Sequence, residues 1–273
     1  MIAPNDRNTP LVTVITAAYN AESTILECID SVMAQTFQKW ELIVVDDAST
    51  DRTQDRITDA ASRDNRIRPI LQSENLGSGA ARNLALQLAD GKYVAVLDAD
   101  DISLPTRLER QVSILETRTD LAGVGSQLYE FGDWGGPVLS RWPTAEGKIK
   151  ERQTKNKMPI PHPSCMIRTA IAKAVGGYDE TCRRSQDYAM FLRMRNEHFA
   201  CLSEPLVFYR TTRPVTLGYA IKSGRYADLA KSRQLGRHDS NRVRTTPRSL
   251  PLSLKTDLRS TLQWMKRRQA ERK

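Results

Sequence analysis

Two short segments of the 273-residue chain constrain its fold most. Glu41-Leu-Ile-Val-Val45 is stopped by Asp46 and Asp47, and Tyr93-Val-Ala-Val-Leu97 runs into Asp98-Ala-Asp-Asp101. Both are apolar at successive positions rather than alternate ones. A strand apolar on both faces is buried on both faces, the mark of a central strand in a parallel sheet. The flanking sequence supplies the crossovers. Leu11-Val-Thr-Val-Ile-Thr16 is a β-branched run that predicts a first strand, and Ile67 to Leu71 predicts another. Ile25, Ile29, Val32 and Met33 recur at helical spacing, as do Leu84 with Leu88, and Leu108, Val112 and Leu115. These place helices over Gly79 to Ala89 and Leu104 to Glu116, with a further one over Asp51 to Ser62. Such alternation predicts an α/β fold with a mostly parallel central sheet flanked by helices.

Right-handed crossovers bring the C-terminal ends of parallel strands to one edge, and ligands bind there in open α/β sheets. Asp46, Asp47, Asp98, Asp100 and Asp101 are therefore expected to meet. Carboxylates brought together repel, more so when buried, and such a cluster asks for a cation. Oxygen donors with no His or Cys nearby in sequence favour Mg2+ or Mn2+ over zinc. Asp51 reads instead as a helix-capping acid. Asn75-Leu-Gly-Ser-Gly-Ala-Ala-Arg82 has two glycines between a strand and a helix. It suits either a tight capping loop or a loop whose amides and Arg82 face a diphosphate. There is no GxxxxGK, so a P-loop is not expected.

After Gly125 the pattern loosens. Gly132, Gly135, Gly136, Pro137 and Pro143 read as loop residues. Cys165 to Arg168 predicts a short strand, Ala170 to Val175 a short helix, Asp187 to Arg195 a helix and Leu206 to Arg210 a late strand. The polar N-terminus predicts no secretory leader, and no apolar run suggests a membrane span. Cys28, Cys165, Cys182 and Cys201 fit no zinc or disulfide spacing and read as reduced thiols of a cytoplasmic protein.

These residues also carry a resemblance. Pro10 to Asn20, Ser31-Val-Met-Ala-Gln-Thr36, Val44-Val-Asp-Asp-Ala-Ser-Thr-Asp51, Asn75-Leu-Gly77, Ala81-Arg-Asn83 and Leu97-Asp-Ala-Asp-Asp101 stand in the order seen in family 2 glycosyltransferases of the GT-A fold. Pro161-His-Pro-Ser164, Val175-Gly-Gly-Tyr-Asp179, Gln186-Asp187 with Leu192-Arg193, and Tyr209-Arg210 continue it. The resemblance implies an inverting transferase that takes a sugar from a nucleotide-diphosphate donor, typically a UDP-sugar, to a hydroxyl acceptor. Asp100 resembles the metal-binding acid, and Asp98 its partner at the ribose or a metal-bound water. Asp47 resembles the acid that accepts the base N–H, and Ala17 and Tyr19 resemble the base contact. Asp187 resembles the catalytic base. The family usually has Glu-Asp there; Gln186 keeps the base but removes its acidic neighbour. The resemblance implies a GT-A domain over residues 10–217, with a sugar-nucleotide half at 10–125 and an acceptor-side half at 126–217. It also suggests cell-surface polysaccharide or glycolipid synthesis with a saccharide or lipid-linked acceptor.

His162, between two prolines, reads as an acceptor contact or an ordered loop histidine. Trp134 and Trp142 read as sugar-stacking platforms or as packing under a loop. The two rival readings are a haloacid-dehalogenase-like phosphatase, whose nucleophile motif is also an acid-x-acid at a strand end, and a catalytically dead transferase-fold scaffold.

The formal net charge of +9 is unevenly spread. Residues 218–273 hold 15 Lys/Arg against 4 Asp/Glu, whereas the preceding residues hold 26 against 28. A near-neutral body argues against a nucleic-acid partner. In the basic extension, Pro247 and Pro251 precede a helical repeat of Leu254, Leu258, Leu262 and Met265, with Trp264 beside it. Lys255, Arg259, Lys266, Arg267 and Arg268 flank it. This extension suits either peripheral contact with an anionic membrane at its cytoplasmic face or a helix packed on the domain.

Overall fold

A computed structural model describes residues 9–234 and 254–270. Pro247 and Pro251 lie outside the described residues. The first half alternates as its periodicity predicts: β1 (Val12–Ala18), α1 (Ile25–Met33), β2 (Trp40–Asp46), α2 (Thr53–Arg63), β3 (Ile67–Leu71), α3 (Ser78–Leu88) and β4 (Tyr93–Val96). These four strands pair in parallel in the order β3-β2-β1-β4.

The double-sided burial is real. Leu42 and Val44 of β2 pack with Ile25, Ile29 and Ile57 on one face of the sheet. Ile43 and Val45 pack with Ala81, Ala85 and Leu86 of α3 on the other. All four β2 residues have no solvent exposure. Each such side chain contributes roughly 1.5–3 kcal/mol of burial.

The second half continues the same sheet. It comprises β5 (Ile102–Ser103), α4 (Arg107–Thr117), β6 (Leu121–Gly132), β7 (Gly135–Leu139), α5 (Glu146–Thr154), a 3-10 turn (His162–Ser164), β8 (Met166–Arg168), α6 (Thr169–Ala174), α7 (Gln186–Arg193) and β9 (His198–Arg210). β8 adds antiparallel to β4, then β6, β9 and β5 follow. The long β6–β9 pair is parallel, so most paired residues in the sheet are parallel.

The loosening expected after Gly125 is a 12-residue strand, and Gly132, Gly135, Gly136 and Pro137 belong to a β-hairpin rather than to loops. The glycines that mask β6 answer to packing. A β-carbon at Gly123 would sit 2.8 Å from the carbonyl oxygen of Met166, and one at Gly125 would sit 2.9 Å from the β-carbon of Ile160.

The extension forms α8 (Leu217–Gln234) and α9 (Leu254–Ala270). α8 packs on α7 through Tyr226 and Ala230 against Cys182 and Ala189, with Leu229 and Tyr188 beside them. Among the described residues no helix is long and apolar enough to cross a membrane.

Candidate active site

The end of β2 builds one wall of the cleft. Asp47 is buried, and its amide donates to the carbonyl of Ala18 at the end of β1 (2.8 Å). Its two carboxylate oxygens accept the amides of Leu76 and Gly77, each at 2.8 Å. Asp47 thus shapes the Asn75–Gly77 loop that leads into α3. A carboxylate has about four lone-pair sites, so a further donor can still be accepted. Ala17 pairs with Val45 in register, and Tyr19 beyond it is 51% exposed at the cleft mouth. Asp51 is not the cap of α2, which is Arg52; it stands one residue earlier, and its Oδ1 accepts the amide of Thr53, the first helical residue, at 3.0 Å.

The end of β4 builds the floor. Arg82, on α3, donates from Nη2 to Asp98 Oδ1 at 2.5 Å. Burial raises the Asp98 pKa, but the charge and hydrogen bond of Arg82, with His162 and Arg107 nearby, outweigh it and hold the carboxyl below the usual range. The next two acids go the other way. Asp100 is exposed, and desolvation by its surroundings together with the Asp98 charge raises its pKa. Asp101 is buried; burial and its two acidic neighbours push it well up. Its Oδ1 accepts the amide of Arg210 at 2.8 Å, which ties the end of β9 to the acidic turn. Arg210 also donates from Nε to the carbonyl of Asp100 at 3.0 Å.

Asp187 lies in the first turn of α7, half-buried, and accepts the amide of Tyr188 at 2.8 Å. Its charge acts on both Arg82 and His162. His162 is buried with Nε2 3.0 Å from the hydroxyl of Tyr178, and burial lowers its pKa while the Asp187 charge opposes that shift. Gln186 donates to Ser78 Oγ at 2.8 Å and so braces the start of α3. Two pieces of the resemblance explain each other: Asn83 and Tyr178 exchange hydrogen bonds at 2.7 and 3.0 Å, joining α3 to the Gly176-Gly177 turn.

The structure therefore brings Arg82, Asp98, Asp100, His162 and Asp187 to one cleft, with Ala17, Tyr19 and Asp47 along its β1–β2 side. Trp134 stands apart on the β6–β7 hairpin. Its Nε1 donates to the carbonyl of Thr211 at 2.8 Å, and Arg213 stacks 4.0 Å over its ring. Beside this hairpin an open apolar hollow of about 420 Å³ runs from Ile102, next to Asp101, to Phe131, Pro137 and Phe208. Trp142 packs under Arg152 and against the second core cluster.

Sequence reading missed Arg107. It is fully buried and donates from Nη2 to the carbonyl of Val96 at 2.6 Å, just before the acidic turn. Burial lowers its pKa to about 10, so it remains a cation at neutral pH, felt by Asp98 and Asp101. Nothing in an Arg-Leu-Glu-Arg helix start marks which arginine is buried. The four cysteines are free and buried, as expected; burial pushes the thiols of Cys165, Cys182 and Cys201 up to about 12.

Asp98 and Asp100 suit a hard divalent cation. Both are oxygen donors, Arg82 occupies one oxygen of Asp98 and leaves the other, and the Asp100 carboxyl is destabilised by the Asp98 charge that a cation would offset. Two carboxylates are an incomplete cage. The remaining positions would fall to water and phosphate oxygens, as is usual for Mg2+.

A parallel sheet that continues through antiparallel β8 to a second half, with paired acids at the β4 edge, is the architecture of a GT-A nucleotide-sugar transferase. The solved mannosyltransferase of Pyrobaculum calidifontis, in complex with GDP-Man and Mn2+, shares the fold: TM-score 0.63 over 97% of this chain and 71% of that one, at 19% identity. The chain belongs to glycosyl transferase family 2, whose model matches residues 13–176. An uncharacterized glycosyltransferase of Methanocaldococcus jannaschii is 38% identical over 208 residues, covering 74% of this chain and 71% of that protein. An Escherichia coli UDP-Glc:alpha-D-GlcNAc-diphosphoundecaprenol beta-1,3-glucosyltransferase is 42% identical over 105 residues, covering 38% of this chain and 41% of that protein.

Proposed function

We propose that this glycosyltransferase moves a sugar from a UDP-linked donor to a hydroxyl of a lipid-linked saccharide, inverting the anomeric centre, in cell-surface polysaccharide or glycolipid synthesis. The observation that carries the reading is the convergence of a paired Asp98, an exposed Asp100 and a half-buried Asp187 on one cleft. The Escherichia coli relative, whose name states a UDP-glucose donor and a diphosphoundecaprenol-linked acceptor, supports the donor and acceptor classes.

A sugar hydroxyl attacks only once its proton is taken, and Asp187, in the first turn of α7, is the carboxylate that takes it. Asp98 and Asp100 would hold Mn2+ or Mg2+, which when bound supplies positive charge to the departing diphosphate. Arg82 keeps Asp98 ionised and oriented. Asp47, through Leu76 and Gly77, sets the loop that faces the base, with Ala17 and Tyr19 on the opposite side. His162 acts from below through Tyr178, and Trp134, on the hairpin beside the apolar hollow, could meet an acceptor ring only if Arg213 left its face. The catalytic unit spans residues 10–217. The basic extension over 218–273 brings it to the inner face of the cell membrane.

A screen of UDP-, GDP- and dTDP-sugars for thermal stabilisation with and without Mn2+ tests the donor. Stabilisation by a UDP-sugar only with metal is the expected result. No stabilisation by any donor, with no donor hydrolysis, would return the scaffold reading.

A further inference from the structure

The extension supplies an apolar surface that the domain does not use. α9 docks on α8 through polar and small groups. Among the side chains of α9 that are described, Thr256 and Ser260 are buried, and a β-carbon at Gly224 of α8 would collide with Ser260 Oγ. Arg225 binds Asp257 with Nε 2.8 Å from Oδ1, and Arg259 binds Asp228 at 2.7 Å. Trp264 turns inward, its Nε1 donating to the carbonyl of Val215 at 2.6 Å.

The leucine stripe points the other way. At about 100° per residue, Leu258, Leu262 and Met265 fall within about 60° of one another, opposite Thr256 and Ser260. They are 63%, 51% and 53% exposed. Lys255, Arg259 and Lys266 fall together along one edge of this stripe, and all three are exposed. The helix as a whole carries five Lys/Arg against Asp257 alone. Asp257 is already neutralised by Arg225.

We propose that this face of α9 lies in the headgroup layer of an anionic bilayer, with Leu258, Leu262 and Met265 in the acyl boundary and Lys255 and Lys266 at lipid phosphates. It rests on the lipid-linked acceptor only for its purpose; the surface itself is read from α9. The charge decides the occupant. A second copy of this helix would bring the same basic edge against itself, whereas anionic lipid complements it. The body holds α9 on its polar side, so insertion needs no unfolding. Because α8 packs on α7, the bilayer is joined through two helices to the element that carries Asp187.

The test is co-sedimentation of the full chain with phosphatidylcholine vesicles, alone or with about one third phosphatidylglycerol. Binding at least about tenfold stronger to the anionic vesicles, and weakened by salt, is expected. Replacing Leu258, Leu262 and Met265 together by Gln should cut that binding about tenfold or more. Lys255→Glu with Lys266→Glu should do the same, each basic residue being worth about fivefold. UDP-plus-Mn2+ stabilisation, expected unchanged in both variants, shows that they fold and separates this result from the donor reading. Equal binding to neutral and anionic vesicles, or undiminished binding by the triple variant, overturns the proposal. So does a wild-type dimer that the triple variant renders monomeric without any vesicle binding.

Discussion

The guanidinium of Arg82 lies 2.5 Å from the carboxylate of Asp98, although the two residues sit on a helix and on a strand end that meet only in the folded chain. The pair is largely buried, with side chains 9% and 23% exposed. It keeps one acid of the cleft ionised while Asp100 and Asp101 are pushed toward neutrality. Charge in the acidic turn is thus distributed before any ligand arrives.

Removing Arg82 should therefore be costly. Arg82→Ala leaves Asp98 without its cation, and a broken buried pair costs about 3–5 kcal/mol. The Asp98 carboxyl is held below its unfolded value, so the stabilisation is complete above the unfolded pKa, about 4. It is lost as pH falls through the folded pKa. Thermal melts from neutral pH down to about 3 should show the deficit of the variant shrinking at the acid end. A pH-independent deficit would assign Arg82 to packing alone.

Asp100 faces solvent and makes no structural contact as strong as that of Asp101. Asp100→Ala should therefore fold normally, with a melting temperature within a few degrees of wild type by the size scaling of about 1 kcal/mol or less. Its UDP-sugar affinity should no longer respond to Mn2+. Calorimetric titration with and without the metal reads this directly, and an unchanged metal response would remove Asp100 from the donor site.

Asp187→Asn keeps the oxygen that accepts the Tyr188 amide and removes only the basic carboxylate. Transfer should fall by about 10² to 10⁴, the range of a general base. Donor-induced stabilisation should persist. Wild-type turnover by this variant would sink the assignment.

Gly177 has φ +60, and a β-carbon there would run into Asn83 Oδ1. Gly177→Ala should break the Asn83–Tyr178 exchange that joins α3 to the turn before α7. A cost of about 1–3 kcal/mol by denaturant unfolding is expected. Activity should fall as well, since Arg82 and Asp187 stand on the two elements this contact aligns.

Much of this protein was legible in the chain before folding. The alternation from Val12 to Val96, and the acids at the ends of β2 and β4, follow from local periodicity and from residue order. Other features depended on partners distant in sequence. β6 hides behind Gly123 and Gly125, whose reason is the approach of Met166 and Ile160. Arg107 and Arg110 look alike in sequence, yet one is buried beneath the acidic turn and the other is exposed. The stripe in α9 could be read, but not which side of the helix the body covers. Periodicity records which side chains are apolar; tertiary packing decides what each face meets. In α9 it buries Thr256 and Ser260 and leaves the leucines outside, because Gly224 admits only a small polar contact there.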